Sequence, residues 1–436
     1  MATVRPLPSW VVLDASVRVS PGSVEEASEW ELKCTQRRIF SYPGRIDKKA
    51  SSSLVKGMTL VARLAEPPDL SFLSIGLTAD ELHRKGISVS RNGEIYDGSE
   101  SEGEVCGESE RCCRDCGREA HYPLLVLTRL RGLDFYVIYD AIKTSLSMIP
   151  HLPPYCSPSF TARPLPVHRN GGNGDGDYSL AIMARSSAYN QRKQNPSDRH
   201  ALCLWPPPDS AKPLPLSTRK GIEPWRVKQP HFPIETPDSF TAGMVFSFNG
   251  QAFWVDLAMG ALYCSCDDVL SGGYDLQFRL AWLPLECRLD VDICTRGHPA
   301  KYRTMRCVGD SIKFVSIGDN LCSEATGSTM LTVWALFPAT GEWKKLHELS
   351  MACLWGLEGF EEAVLPESLP IHPILSTQQD GVLYLLLSDD LVNVEGCSAD
   401  ESDIYEDEEA TGERYMFGLD ICNKQLLSSR HNIVDF

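Results

Sequence analysis

Tight-turn dipeptides between short apolar runs constrain the fold of this chain more than any other feature. Dipeptides such as Asn-Gly and Asp-Gly favour the left-handed backbone of a two-residue turn, whose twist matches that of paired β-strands. The runs on either side are rich in β-branched and aromatic residues, which is typical of strands. The sequence therefore predicts four β-hairpins, centred on Asn92-Gly93, Asn249-Gly250, Gly309-Asp310 and Asp380-Gly381.

A second pattern is a strand-like run that ends in Asp or Pro and leads into a short polar turn. Its five instances end at Asp140, Pro206, Asp256, Pro338 and Asp420. Blades of kelch-type propellers take about 50 residues as four antiparallel strands, and the instances recur at about that spacing or more widely. A blade cannot bury both faces alone, so blades stack. The pattern predicts an all-β, β-propeller-like fold with six or seven irregular blades, and two unrelated β-sandwiches are the alternative.

Helical periodicity is weak along the whole chain. Its best stretch is 350–364, which Pro366 ends, and 23–32 and 78–83 are shorter candidates. Five segments are polar, acidic or rich in Gly and Pro, a composition that cannot support a core. We predict one repeat domain over residues 1–436, with loops or disorder at 98–119, 169–178, 186–200, 206–231 and 398–413.

Charge and cysteine content limit the classes of partner and the cellular compartments that we expect for this protein. The formal net charge is −16 and Lys and Arg do not cluster strongly, so neither nucleic acid nor an anionic membrane is the expected partner. We find neither a signal peptide nor an apolar run long enough to cross a membrane. The sixteen cysteines are therefore expected to be reduced, in the cytoplasm or nucleus. Cys264, Cys307 and Cys422 lie in strand-like runs and are predicted to be core residues.

The sharpest candidate for a bound metal is a cysteine-rich segment. The spacing of Cys113 and Cys116 lets two thiolates reach one tetrahedral Zn²⁺. His121 is a candidate third ligand, and Cys106 or Cys112 a fourth. A zinc module usually pairs such a knuckle with a second one, which does not follow here. We therefore expect a loop of reduced thiols, no metal and no cofactor, and keep a zinc-dependent module as an alternative.

Other motifs give no support for catalysis. Asn173 opens a stretch similar to a calcium loop, but Tyr178 and Ala184 stand where the motif needs Gly and Glu. The phosphate-binding loop and the nucleophile elbow are both missing.

Two acidic pairs, Asp389-Asp390 and Glu361-Glu362, have the character of surface charges. The acidic segment 400–413 favours a solvated spacer over a docking site for a basic partner. Five tryptophans in strand-like runs are expected to pack in the core: Trp10, Trp205, Trp254, Trp282 and Trp334.

Several runs resemble a plant family, large in grasses, that is built on domain of unknown function 1618 (DUF1618). The main one is FNGQAFWVDLAMGAL at 248–262, and similar runs lie at 10–14, 135–153, 303–317 and 333–336 before Trp343. The resemblance covers most of the chain and extends to the propeller regions of F-box proteins. It implies a propeller fold but brings no catalytic residues. At Cys264-Ser265-Cys266 this chain departs from the family pattern. We see no F-box, because Trp10 already belongs to the first predicted strand, so no ubiquitin-ligase role is implied.

These observations favour a non-catalytic scaffold that binds a partner protein or peptide. Variable polar insertions on a repeat core are typical of such proteins. The alternative is a hydrolase whose two carboxylates converge in a propeller channel, since a pair formed across blades leaves no local motif. The sequence does not indicate the partner or the oligomeric state.

Overall fold

A computed structural model describes the backbone of the predicted strands and most of the C-terminal half. The described residues are 12–21, 35–39, 56, 58–63, 70–77, 87–89, 95–97, 125–129, 135–140, 144–150, 152–153, 155–158, 164–168, 178–186, 200–205, 225–289, 299–318, 327–337, 340–376, 378–388 and 413–431. They form two compact units. The first comprises Met1–Ala65, Ser71–Val255 and Leu262–Leu280, and the second comprises Glu66–Leu70, Asp256–Ala261 and Ala281–Phe436.

Strands dominate the described residues, which confirms the predicted all-β class. In chain order the first elements are β1 (Val12–Pro21), β2 (Gln36–Ile39), β3 (Thr59–Arg63), β4 (Leu70–Leu77), β5 (Ile87–Val89), β6 (Ile95–Asp97), β7 (Leu125–Arg129), β8 (Phe135–Asp140), β9 (Ser145–Pro150), β10 (Cys156–Pro158), β11 (Leu165–His168), β12 (Tyr178–Ser186), β13 (His200–Trp205) and β14 (Arg226–His231). Next come β15 (Met244–Phe248), β16 (Gln251–Asp256), β17 (Gly260–Ser265), α1 (Cys266–Leu270), β18 (Asp275–Gln277) and β19 (Arg279–Trp282).

The remaining elements form two sheets and short helical turns. They are 3₁₀ turns at Leu285–Cys287 and Pro299–Lys301, then β20 (Arg303–Val308), β21 (Ser311–Ile317), β22 (Met330–Phe337), β23 (Glu342–Ser350), α2 (Met351–Trp355), β24 (Ile371–Leu375), β25 (Val382–Ser388), β26 (Arg414–Asp420) and β27 (Gln425–His431). Among the helices that the structure describes, none is long and apolar enough to cross a membrane.

Most strands belong to sheets of the size of a propeller blade. Four sheets have four strands, in the orders β2-β9-β8-β7, β15-β16-β17-β19, β20-β21-β22-β23 and β24-β25-β26-β27. A six-stranded sheet contains β10 to β14 and β18, and β1, β4 and β3 form a three-stranded one. The described residues thus include five sheets with four or more strands, fewer than the six or seven blades predicted.

The predicted hairpins are present, with differences in their turns. Asn249 and Gly250 have φ of 47° and 73°, as a type I′ turn requires. Gly309 has φ of 59° but Asp310 is not left-handed, which is the arrangement of a type II′ turn. The β24–β25 turn is longer than two residues, because Leu375 pairs with Leu383 across it. Strands β5 and β6 pair as predicted, while Asn92-Gly93 lies outside the described residues.

The predicted helix at 350–364 is only partly present. Helix α2 covers Met351–Trp355 and begins after Ser350, whose hydroxyl accepts the Cys353 N–H at 3.2 Å. Gly356 follows the helix, and the chain then continues as turns, with Gly359 at φ of 89°. The helix has already ended when the left-handed Gly359 prevents the next residues from resuming it, so the apolar spacing extends further than the helix. The candidates at 23–32 and 78–83 lie outside the described residues.

The predicted insertion at 206–231 is corrected at its C-terminal end, where residues 226–231 form β14. Its Lys228 pairs with Leu202 of β13 and is 1% exposed. The Lys228 ammonium donates to the Asp268 carbonyl at 2.7 Å and to the Ser271 hydroxyl at 3.1 Å, at the end of α1. A charged residue in a Pro-rich segment indicates a surface loop, and these distant acceptors are what allow it to be buried.

Both faces of the central strands are buried, as in stacked blades. In the first unit, β12 presents Leu180 and Ile182 to one apolar cluster and Ala181 and Met183 to another. In the second unit, Val315 of β21 belongs to a cluster shared by the β20–β23 and β24–β27 sheets. Clusters on both faces explain why these strands read as nearly continuous apolar runs.

Candidate functional site

The residues proposed from sequence as zinc ligands cannot be placed. Cys106, Cys112, Cys113, Cys116 and His121 all lie outside the described residues, so the zinc alternative stays a prediction. Across the described ranges, no three or more His, Cys, Asp or Glu residues are grouped so that they could hold a metal ion.

The other sequence candidates are scattered. Tyr178 and Ala184 both lie in strand β12, where an EF-hand would need a loop and a helix, while residues 173–177 lie outside the described residues. Glu361 and Glu362 are exposed, as predicted. The pair at 389–390 and segment 400–412 lie outside the described residues.

The tryptophans that can be placed match their prediction as packing residues. Trp205, Trp254 and Trp334 are buried, and Trp282 is half-buried. Trp10 lies outside the described residues.

The cysteine predictions divide into two confirmed and one wrong. Cys264 and Cys307 are buried in strands β17 and β20. Cys422 is exposed, because it lies in the turn after β26 rather than in the strand. A strand-like run alone does not show where the strand ends. This misplaced cysteine belongs to a polar cluster in the second unit.

We call this group the seam cluster, and it consists of Lys313, His347, Asp380, Asp420 and Cys422. Side chains alternate along β21, so Lys313 lies on the same face as Val315 and Ile317. Val315 pairs with Val333 of β22, and Val333 pairs with His347 of β23. That face packs against the β24–β27 sheet through Val315, Val333 and their apolar neighbours.

The first tie of the seam cluster is an ion pair. Lys313 is 4% exposed, and its ammonium donates to the carboxylate of Asp380, in the turn before β25. The Asp380 side chain itself is 70% exposed. A buried cation is tolerated only when a partner compensates for its lost hydration. The pair therefore joins the β20–β23 sheet to the neighbouring turn.

The second tie joins His347 of β23 to Cys422 in the β26–β27 turn. The His347 Nε2 lies 3.4 Å from the Cys422 Sγ, within hydrogen-bond range for sulfur. A Cβ at Gly381 would lie 2.3 Å from this sulfur, so Gly381 leaves the space that the thiol uses. Asp420 shapes the same turn, because its Oδ1 accepts the Asn423 N–H at 3.0 Å.

The electrostatics of the cluster oppose a nucleophilic thiolate. Burial raises the pKa of the Cys422 thiol, and the carboxylates of Asp420 and Asp380 raise it further. Burial also lowers the pKa of the His347 imidazole, and the Lys313 ammonium adds to that effect. Catalytic Cys–His pairs need a depressed thiol pKa. This pair has the spacing of such a couple but holds a neutral thiol beside a neutral imidazole.

The opposite face of the β20–β23 sheet carries cations and aromatic rings. Arg303 is 2% exposed, and its Nη1 donates to the carbonyls of Leu257 at 3.1 Å and Cys287 at 2.6 Å. Trp343 Nε1 donates to the Trp282 carbonyl at 2.7 Å. These contacts attach the sheet to the preceding segments of the second unit.

Sequence reasoning missed Lys313, Arg303 and His347 as site residues. The sequence does contain a signal for Lys313. It precedes Val315 and Ile317 by two and four positions, so it falls on the same apolar face of a predicted strand. Its partner Asp380 is 67 positions away, a separation that no local pattern spans.

The fold and the seam cluster define an all-β protein of mostly antiparallel, blade-like sheets, two of which are joined by an ion pair and a His–Cys contact. The sequence model of the family described as "Protein of unknown function (DUF1618)" matches residues 254–384. This match confirms the resemblance to that family over this part of the chain. The matched segment contains Lys313, His347 and Asp380 but ends before Asp420 and Cys422.

Other comparisons add little. No curated protein is significantly similar to the chain. Among solved structures, an ancestral GH74 enzyme is similar at 9% identity and a TM-score of 0.24, covering 87% of this chain and 59% of its own. The chain thus spans less than two thirds of that enzyme, and a likeness at this score carries no argument about fold or function.

Proposed function

We propose that this protein is a non-catalytic scaffold that binds a partner protein or peptide through the turns of a propeller-like fold. The observation that carries the proposal is where apolar side chains remain exposed. The central strands β12 and β21 bury both faces, whereas Leu285 and Val364, in turns, are 80% and 72% exposed. We infer that these exposed apolar side chains contact the partner.

The chemistry of the seam cluster supports the same conclusion. Its thiol, Cys422, has a raised pKa. Its buried cation, Lys313, forms an ion pair with Asp380. These groups tie two sheets together, which is a structural role. We therefore propose that the scaffold acts without catalysis. Its many cysteines, expected to be reduced, support a place in the cytoplasm or nucleus.

The binding proposal is tested by cross-linking at one turn. A photo-reactive residue at position 358, close in sequence to Val364, should capture the same partner reproducibly from tissue extract. Val364→Asn should abolish that capture. Asn tolerates the left-handed φ of 52° at this position better than Val, so the fold is preserved. Leu427→Asn, a change at a 44% exposed strand residue, is the matched control. Capture that is absent, or that survives Val364→Asn, would count against the proposal.

We propose further that the chain closes into a ring of six blades. This is supported by the six sheets of three or more strands among the described residues. Most of their strand pairs are antiparallel, as in propeller blades. A crystal structure of the whole chain should show six sheets around one axis. Five blades, or two separate sandwiches, would refute ring closure without affecting the binding test.

A further inference from the structure

Leu285 is held in solvent by a turn whose backbone is fixed at both ends. It opens a 3₁₀ turn and is 80% exposed. Before the turn, the Leu283 N–H donates to the Met259 carbonyl at 2.9 Å. After it, the Leu289 N–H donates to the Ala258 carbonyl at 3.0 Å. Because the turn is already ordered, a partner that contacts Leu285 does not have to order it on binding.

Arg288 lies on the same side of this turn as Leu285. Its backbone N–H donates to the Leu285 carbonyl at 3.3 Å, and residues three apart in a 3₁₀ turn lie one above the other. The Arg288 guanidinium lies 4.7 Å from the centre of the Trp282 ring, and its Nε donates to the Leu283 carbonyl at 2.9 Å. The apolar side chain and the oriented cation therefore form one surface patch.

The Arg288 guanidinium keeps hydrogen-bond donors for a ligand. Its contacts within the turn engage only Nε, and among the described residues no carboxylate pairs with its two Nη groups. The acidic residue of the turn, Glu286, instead lies 3.3 Å from the Lys345 ammonium. Arg288 is exposed, so a ligand can reach it. A guanidinium matches a carboxylate, which it can bind through two parallel hydrogen bonds.

We propose that Leu285 and Arg288 form a docking site for a peptide segment in which one carboxylate stands beside an apolar side chain. The inference rests on the proposed scaffold function and names the chemistry of the partner. The apolar side chain of the partner packs on Leu285, and its carboxylate pairs with the Arg288 guanidinium. Arginine and tryptophan are enriched among the residues that dominate binding at protein interfaces.

The charge of the chain limits how acidic the partner segment can be. A formal net charge of −16 repels a strongly acidic segment at long range. Lys345 is shared between Glu286 at 3.3 Å and Glu348 at 3.1 Å, so these residues add no net positive charge to the patch. A single carboxylate in contact with Arg288 forms the paired hydrogen bonds and adds little repulsion. We therefore expect one acidic residue beside the apolar one, and not an acidic run.

The test selects binders from a phage-displayed library of short random peptides on the immobilised full-length protein. Sequences with a single Asp or Glu next to a large apolar residue should be enriched roughly tenfold over the unselected library. Arg288→Gln should remove the preference for the acidic residue, and Leu285→Ser the preference for the apolar one. Arg226→Gln, which removes an exposed arginine of β14, is the matched control and should leave both preferences unchanged.

Fluorescence anisotropy with one enriched peptide then separates the hydrogen bonds from the charge. Replacing the carboxylate of the peptide by an amide should weaken binding to the unaltered protein roughly tenfold and leave binding to Arg288→Gln unchanged. Arg288→Lys keeps the charge but not the planar fork, so it should bind the acidic peptide nearly as weakly as Arg288→Gln does.

The inference is overturned if no peptide is enriched, if the enriched peptides lack the carboxylate, or if Arg288→Gln binds them as well as the unaltered protein. None of these results bears on the scaffold proposal, whose cross-linking test at position 358 involves neither Leu285 nor Arg288. A failure of that cross-linking counts against the scaffold proposal itself.

Discussion

Arg303 and Lys313 are buried cations on opposite faces of one sheet, and they are satisfied in different ways. Arg303 donates to two backbone carbonyls, those of Leu257 and Cys287, and its guanidinium lies 5.9 Å from the centre of the Phe314 ring. Lys313 instead pairs with the carboxylate of Asp380 in the next sheet. Both attach the β20–β23 sheet to a neighbour.

The difference shows that one sheet can be attached both by a permanent tie and by a conditional tie. The permanent tie is the set of Arg303 hydrogen bonds, which do not change with solution conditions, and the conditional tie is the Lys313–Asp380 ion pair, which does. Carbonyl oxygens keep their acceptor strength at every ordinary pH, and the guanidinium is always protonated. An ion pair with a largely exposed carboxylate is sensitive to salt. We infer that the Arg303 face is the stable side of the sheet and that the Lys313 face is the adjustable side.

The largest effect should follow from removing the permanent tie. Arg303→Leu leaves two carbonyls without their donor and removes a buried side chain, so we expect the free energy of unfolding to fall by about 3 kcal/mol. Urea unfolding measures the change. Lys344→Leu on the exposed edge strand is the control and should alter stability by less than ~0.5 kcal/mol. Equal losses in the two variants would remove the special role of Arg303.

A smaller loss is expected at the conditional tie. Asp380→Asn leaves Lys313 buried with a neutral partner, and because Asp380 is mostly exposed we expect about 1–2 kcal/mol. Lys313→Met should be close to neutral, since an apolar residue of similar length replaces the cation. In the double variant the cost of Asp380→Asn should disappear. Additive losses would mean that the ion pair contributes nothing.

Acidification should weaken the adjustable face first. The pKa of His347 in the folded protein lies below its ordinary value of 6.5, because burial and Lys313 disfavour the charged ring. The unfolded chain therefore binds this proton first, and stability falls as pH drops from about 7 through 6.5 toward the folded-state pKa. His347→Gln should flatten this part of the stability curve. A wild-type curve that is level or rising toward pH 5.5 would contradict the assignment.

The smallest expected effect is a difference between the two faces in how the stability cost of a substitution depends on salt. Raising NaCl to about 1 M screens an exposed carboxylate, so the cost of Asp380→Asn should shrink by roughly 0.5 kcal/mol. The cost of Arg303→Leu should stay constant, because buried carbonyl contacts are screened much less. Urea unfolding at two salt concentrations gives both values. A salt-sensitive Arg303 variant would erase the distinction between the faces.

Local sequence predicted strands and hairpins well and the ends of elements less well. Asn249-Gly250 forms the turn its residue types favour, because a two-residue turn is decided by its own backbone. The helix predicted to reach Val364 ends at Trp355, although the apolar spacing continues to Phe360 and beyond. Cys422 resembled Cys264 in its apolar setting, yet only Cys264 is in a strand.

The all-β class of this protein could be predicted from sequence, because alternation and turn chemistry act between residues a few positions apart. The contacts of Lys313 with Asp380 and of His347 with Cys422 depend instead on the folded chain. Each pair joins two sheets across 67 and 75 positions of chain. Their energies depend on burial and on distant partners, which no local pattern encodes. For this reason the residues that tie the sheets together became visible only in the folded chain.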